Sequence, residues 1–479
     1  MIHAPRLAAN FALLSSGELL SKVFAVIAFA YLARVLGPAE FGNLELTLAV
    51  IVFLTLLVDS GLGPYGAREL AKNRALVNRL ATHIVLIRCA LAIAVYSLLA
   101  ISLALIETAS SVKTLLLLYG LTLLGLPGIL SWIFQGHDLM HYVATASIIR
   151  WSLFTAGTLL YVRGPEDTWI VPLVEGSAIA GVVAFYLFGF RSRFGPLRHA
   201  IDRPFGLSIL RQALPIGGSE LIWALKIYFA TVLLGILHGG PGVGWFGAAH
   251  RIVVSVHTFV WLYFFNLLPA IARSSHGTVE GLQRLMRASM QLTMWLAVFL
   301  GTIGTALAEP VVASVYGSQY QEAVAPFRIL IWFIPLALVS GHYRYVLIAY
   351  DRQQLEFLGA ACGASVNVIL NLALIPLYGL QGAAWALVAS EGLIWALGYY
   401  FVRRTITPIP SWPHIYRPLM GGAVLGGALY FLPPINVWLT GGSAILFYLA
   451  LLSIMQPELL SSVRSMCVRT QSFQEDTSG

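Results

Sequence analysis

About fourteen apolar runs, each near the roughly 20 residues needed to cross a bilayer, follow one another along almost the whole chain. They fall at 10–36, 42–62, 80–106, 113–135, 142–163, 169–190, 208–237, 243–272, 284–308, 324–350, 354–377, 381–402, 415–433 and 436–455. Lipid offers the backbone no hydrogen-bond partner, so each run is expected to close its own bonds as a helix. Of the 479 residues, 58% are hydrophobic and 10% charged, against about 25% charged in a soluble domain. The fold class that follows is an all-α polytopic membrane protein.

Charge sets the orientation. Of the 29 Lys and Arg, nineteen lie in loops on the N-terminal side, four in the opposite loops and six inside spans. This bias predicts both termini in the cytosol. The net charge of +8 therefore has a topological use, and no basic cluster beside a soluble aromatic module supports nucleic-acid binding. Arg6 precedes an apolar stretch that Glu18 and Lys22 interrupt, so an uncleaved first helix is expected rather than a signal peptide. Cys89, Cys362 and Cys467 form no C-x-x-C pair and read as free thiols, not a disulfide framework or metal site.

The two halves repeat. "SSGELL" (15–20) recurs as "GGSELI" (217–222), and "EFGNLELTLAVIV" (40–52) as "WFGAAHRIVVSVH" (245–257). Arg68 matches Arg273, and Glu175-Gly176 matches Glu391-Gly392. A unit of six spans, an even number, enters the membrane twice from the same side. This predicts two six-helix lobes related by a pseudo-two-fold axis along the membrane normal, with a cavity between them. The expected organisation is an N-terminal lobe at 1–190, a cytosolic linker at 191–207 marked by Pro196 and Pro204, and a second lobe at 208–404. Two additional helices follow at 405–456, then a polar, disordered tail at 457–479.

Six cations lie within spans: Lys22, Arg88, Arg150, Lys226, Arg251 and Arg344. Facing lipid, each would cost about 2.5–3.5 kcal/mol at the bilayer centre. They must snorkel, pair with acids or face a hydrated cavity. Snorkelling suits Arg344, near a cytosolic end; Lys22, Arg150, Lys226 and Arg251 sit deeper. A cavity lined by cations suits an anionic substrate, phosphate above all. The acids Glu18, Asp59, Glu175, Glu220 and Glu391 are candidates for proton or sodium coupling or for structural pairing. Glu18 and Lys22, four apart, can neutralise each other on one helix face, whereas Glu220 and Lys226 are expected to face differently. Gly17, Pro215, Gly217 and Gly218 occupy corresponding positions in the two halves and suit either flexible segments or close helix packing. His250, His257 and His342 show no metal-ligand spacing. No phosphate-binding G-x-x-x-x-G-K-[ST] loop, H-E-x-x-H site or D-x-D pair is present, and no cofactor is implied.

"YLARVLGPAEFGNLELTLAVIVFLTLLVDSGLGPYGARELAK" (31–72), "FQGHDLMHYVATASI" (134–148) and "NVILNLALIPLYGLQGAAWALVASEG" (367–392) resemble the polysaccharide transporter, or Wzx-like oligosaccharide flippase, family. That family belongs to the multidrug/oligosaccharidyl-lipid/polysaccharide (MOP) exporter superfamily, and the resemblance runs in order over roughly 10–405. It implies a two-lobed flippase of a bacterial inner membrane. The expected partner is an undecaprenyl-diphosphate-linked oligosaccharide, a polysaccharide or O-antigen repeat unit, moved outward by alternating access through a cationic cavity. Polysaccharide polymerase or export proteins are further implied partners. Spans 13 and 14 would form a groove for the lipid tail. A cation-coupled multidrug exporter of the same superfamily, and a membrane polymerase or ligase acting on the same lipids, remain the alternative readings. Outward movement of a diphosphate is favoured by about 2.3 kcal/mol per charge per 100 mV in an inside-negative cell, so the membrane potential can drive export without ATP, with proton or sodium exchange resetting the empty carrier.

Overall fold

The computed structural model describes residues 4–106, 109–196, 201–275, 277–431 and 437–457. Cys467 and the tail beyond 457 lie outside them. In chain order the helices are α1 (Ala4–Asp59), α2 (Leu62–Lys72), α3 (Val77–Leu105), α4 (Ser110–Gly120), α5 (Ser131–Gly136), α6 (Met140–Tyr161), α7 (Ile170–Phe194) and α8 (Arg203–Ser275). There follow α9 (Val279–Ala306), α10 (Ala308–Tyr316), α11 (Val324–Leu330), α12 (Phe333–Ala349), α13 (Gln353–Thr405), α14 (Trp412–Phe431) and α15 (Val437–Met455). No strand occurs among the described residues.

Three of these helices are too long for one crossing, with 56, 73 and 53 residues in α1, α8 and α13. Each bends at a glycine of positive φ: Gly37 (φ 73°), Gly239 (φ 73°) and Gly379 (φ 54°). Any other residue would carry a Cβ penalty in this backbone region. Pro38 follows Gly37, at the start of the new helix, where its missing N–H breaks no bond. Gly37 and Gly239 are 202 residues apart, the same separation as the repeated "SSGELL" and "GGSELI". Nine helical stretches among the described residues are long and apolar enough to cross a membrane. Division of the three long ones at their glycines, with α14 and α15 added, is compatible with about fourteen spans.

Two expected spans are not single helices: the run at 324–350 divides into α11 and α12, and the run at 113–135 is broken more deeply. The run at 113–135 becomes α4, a 3-10 stretch Leu121–Gly128 that contains Pro127, and the short α5. Pro127 has no N–H to donate, and Gly128 packs so closely on Val183 that an added Cβ would lie 2.5 Å from it. The break frees backbone carbonyls, which must find partners inside the protein.

The chain forms two compact units, 1–248 with 368–380 and 249–367 with 381–479. In the first, Trp132, Phe134, Tyr186 and Phe190 fill a core with Ile84, Leu130, Ile209 and Ala213. α1 runs parallel to α6, with the Thr155 hydroxyl donating to the Phe24 carbonyl at 3.0 Å and that of Tyr31 to the Val162 carbonyl at 2.8 Å. This unit also takes in 208–248, which sequence reasoning placed with the second lobe. Backbone contact explains why. A Cβ on Gly42 would lie 1.7 Å from the Gly240 carbonyl oxygen, and one on Gly61 would lie 2.4 Å from the Gly217 nitrogen. α8 thus meets the second arm of α1 near both of its ends. Gly42→Ala is expected to destabilise the protein by about 3 kcal/mol, the upper end of the overpacking range, seen as a lower unfolding temperature in detergent.

Residues 202–205, at the end of the expected linker, are also anchored within this unit. The backbone N–H of Asp202 donates to His83 Nε2 at 2.9 Å. The Asp202 carboxylate accepts from the Phe205 N–H at 3.2 Å and from Arg79 at 2.8 Å. Arg79 in turn lies 3.9 Å over the Phe205 ring. Asp202 caps the start of α8, and the Phe205 amide, followed by Arg79, holds its carboxyl below the usual range. That contribution is present above the ordinary Asp value of about 3.9 and is lost only as pH falls through the lowered one.

In the second unit the C-terminal pair packs on α9, where Trp295 meets Leu425, Ala444, Tyr448 and Leu452. Trp295 Nε1 donates to Gln456 at 2.7 Å. Gly421 and Gly422 bring α14 close to Trp295 and Val298, the small-residue approach that membrane helices use in place of a hydrophobic drive.

Candidate functional site

Arg150 on α6 and Glu175 on α7 form the first charged pair. Nε of Arg150 donates to the carboxylate at 3.0 Å, and Nη2 donates to the same oxygen. The Arg150 side chain is 43% exposed and that of Glu175 only 9%. The acid therefore backs the guanidinium and orients it, and part of the arginine side chain stays exposed. Trp151 lies 5.5 Å from the guanidinium carbon, and Tyr119 is within electrostatic reach. Lys22 lies at the same level. Gly17 packs on Ala144 and Phe24 on Thr155, so the α1–α6 register sets Lys22 opposite about Trp151. Lys22 is half-buried and makes no ion pair among the described residues, Glu18 included. The expected neutralisation of Lys22 by Glu18 one turn away is therefore not formed.

Arg88 on α3 is enclosed. Its side chain is 7% exposed and pairs with Asp59 at the end of α1. Nη1 donates to the Ile129 carbonyl at 3.2 Å, one of the carbonyls freed by the break after α4. Glu220 on α8 lies within electrostatic reach of both Asp59 and Arg88. Lys226, further along α8, is half-buried.

In the second unit Arg251 is half-buried. Arg344 is half exposed and pairs with Glu356 at 2.9 Å. Glu391 is 4% exposed and accepts from Ser340 Oγ. It repeats Glu175, yet the position that repeats Arg150 is Val366. Its neighbour Asn367 donates instead to Ser390 at 3.2 Å. The buried acid is thus present in both halves, and in the first it backs an arginine. His250 and His342 are buried, and no cluster of possible metal ligands occurs among the described residues. Sequence reasoning missed Glu356, which pairs with Arg344 across a short loop; a search for acids across that hairpin would have found it. It also missed a cavity of about 360 Å³ lined by Trp395, Tyr399, Pro410 and Trp412. No motif marks that cavity.

Comparison with known proteins adds the family. Residues 7–275, more than half the chain, match the model of the family described as "Polysaccharide biosynthesis protein". The chain belongs to that family. The "Putative O-antigen transporter" of Escherichia coli (strain K12) is 23% identical over 394 residues, 79% of this chain and 92% of that protein. The lipid II flippase MurJ in an inward closed conformation superposes with a TM-score of 0.76 at 12% identity, covering 94% of this chain and 100% of that one. An inward-facing multidrug resistance MATE family transporter of the MOP superfamily gives 0.64 at 16% identity, covering 81% and 94%. These two likenesses show a fold shared with those two proteins. The family segment holds Lys22, Arg88, Arg150, Lys226 and Arg251, and Arg344 lies beyond it.

Proposed function

We propose that this protein is a flippase that carries an undecaprenyl-diphosphate-linked oligosaccharide, a polysaccharide or O-antigen repeat unit, from the cytoplasmic to the periplasmic leaflet. The observation that carries the reading is Arg150, a partly exposed guanidinium on a membrane helix that buried Glu175 holds in place. A guanidinium presents paired N–H donors that match phosphate geometry, and Lys22 adds a second cation at the same level. The family and the E. coli relative support a lipid-linked glycan as the cargo, and the MurJ and MATE folds support alternating access. The protein acts as a transporter rather than an enzyme. It sits in the bacterial inner membrane with both termini in the cytosol, as the loop charges favour. Polymerase and export proteins are its proposed partners.

The test is export in a strain that lacks its own flippase for the same unit. The wild-type protein is expected to restore surface polysaccharide. Replacement of Lys22, Arg150, Lys226 and Arg251 together with Gln is expected to abolish it while membrane insertion is retained. Full export by the fourfold variant would remove the proposed anion site. Multidrug efflux with no effect on surface polysaccharide would favour the exporter reading.

A further inference from the structure

The first unit gathers two carboxylates and one guanidinium around the crossing of α1 and α8. Gly61 and Gly217 make that crossing so tight that a Cβ on Gly217 would lie 2.6 Å from the Ser60 carbonyl carbon. Asp59 lies just before the crossing on α1, and Glu220 lies one turn beyond it on α8. Arg88 approaches from α3, close enough that a Cβ on Gly63 would lie 2.9 Å from its Nη2.

The hydrogen bonds in this cluster do not balance. Asp59 holds Nη2 of Arg88, and the Ile129 carbonyl holds Nη1. Nε of Arg88 is buried without an acceptor, on a side chain that is only 7% exposed. A buried donor left unpaired is costly, so an acceptor brought to Nε would be stabilised there. Glu220 is half-buried and makes no ion pair or hydrogen bond among the described residues, although it feels the charges of both Asp59 and Arg88. One guanidinium cannot neutralise two ionised carboxylates, and like charges sharing such a site disfavour double ionisation.

We propose that Glu220 is the proton-binding site of this transporter, and that its protonation decides whether Asp59 alone or Asp59 and Glu220 together claim Arg88. With its proton on, Glu220 is neutral, Asp59 keeps Arg88, and α8 rests on α1 through Gly61 and Gly217. When the proton leaves to water, the Glu220 carboxylate is repelled by Asp59 and drawn to the unpaired Nε of Arg88. Both forces act on α8 beside its close backbone contact with the Ser60–Gly61 turn that follows α1. The acting charged groups are Asp59 on α1 and Arg88 on α3. Lys226, six residues along α8, lies on a different face. The site thereby links a proton to movement of α8. In the proposed flippase this would reset the empty carrier, so its purpose rests on that reading. Its existence can be measured without any glycan.

The experiment uses full-length protein in nanodiscs of phosphatidylethanolamine and phosphatidylglycerol, with Cys89, Cys362 and Cys467 replaced by Ser. Spin labels at Leu57→Cys on α1 and Leu214→Cys on α8, both exposed positions, report the distance between the helices. Spectra are taken in potassium buffer from about pH 5 to about pH 9, a range that spans a shifted carboxylate. The expected result is two distance populations whose ratio changes tenfold per pH unit about one midpoint. Glu220→Gln should hold the low-pH population throughout, and Glu220→Asp should keep a pH response. Asp59→Asn, which leaves Arg88 to Glu220, should move the midpoint to lower pH. A pH response in Glu220→Gln equal to that of the parent would overturn the proposal. Distances in the parent that ignore pH, or that follow only added sodium, would overturn it too. A protein that flips no glycan but shows these distance changes would refute the proposed cargo and leave the proton site standing.

Discussion

Arg150→Ala is expected to abolish export and to lower the stability of the folded protein by about 3 kcal/mol. That is the low end of the range for breaking a buried ion pair, chosen because the Arg150 side chain is 43% exposed while Glu175 is nearly enclosed. The cost arises at Glu175, whose carboxylate would remain at 9% exposure without the two donors that now satisfy it. Glu175→Gln should be milder in stability, because an amide needs no counter-ion, but it should impair export by releasing the guanidinium from its fixed orientation. The double variant Arg150→Gln/Glu175→Gln separates the two roles. It should recover most of the unfolding temperature, since a neutral pair can still hydrogen-bond, and it should still fail to export. Thermal unfolding in detergent and surface polysaccharide in cells are the two measurements. A double variant that exports normally would make the pair a packing device rather than part of the anion path.

An imposed membrane potential is expected to change the distribution of the lipid-linked glycan between leaflets by roughly fifty-fold per net charge moved at 100 mV, from about 2.3 kcal/mol per charge. The diphosphate carries the negative charge, so a potential that is negative on the side of origin should drive it across and the reverse should hold it back. Vesicles loaded with potassium and treated with valinomycin set either sign. Equal distributions at both signs would mean that the moving complex is electroneutral. In that case the cations of Lys22 and Arg150 would travel with the headgroup or a counter-ion would accompany it.

Much of this fold is visible in residue order, because lipid permits so few backbone solutions. The expected end of the first run at 36 and the bend at Gly37 agree within one residue, since Gly-Pro is a local signal that needs no tertiary context. The bend at Gly239 lies two residues beyond the expected end at 237, in a Gly-Gly-Pro sequence. The break after α4 was not foreseen. Pro127 alone is compatible with a kinked helix, and what decides the matter is contact with Val183 on α7 and the need of Arg88 for the Ile129 carbonyl. The site was less legible than the fold for a related reason. Lys22, Arg150 and Glu175 were each identifiable as charges stranded in apolar runs. Which acid serves which cation depends on helix rotation and depth, and these are set by contacts between α1, α6 and α7 distant in sequence. Proximity in sequence misled for Glu18 and Lys22, which lie one turn apart and do not pair. Asp59 and Arg88, 29 residues apart, do pair. The placement of 208–248 with the first unit was equally hidden, because it rests on backbone-to-backbone approach at Gly42, Gly61 and Gly217.

The central claim is that this protein moves a diphosphate-linked glycan across a bilayer. Its most direct test is a reconstituted flipping assay with purified protein in sealed vesicles, using an undecaprenyl-diphosphate oligosaccharide that carries a fluorophore on its sugar. A reductant added outside bleaches only glycan in the outer leaflet. Protein-containing vesicles should lose fluorescence beyond the outer-leaflet half with a rate that rises with protein content, and vesicles holding Arg150→Gln/Glu175→Gln should behave as protein-free ones. Protection of the inner half in vesicles that contain folded wild-type protein, at either sign of the potential, would contradict the account.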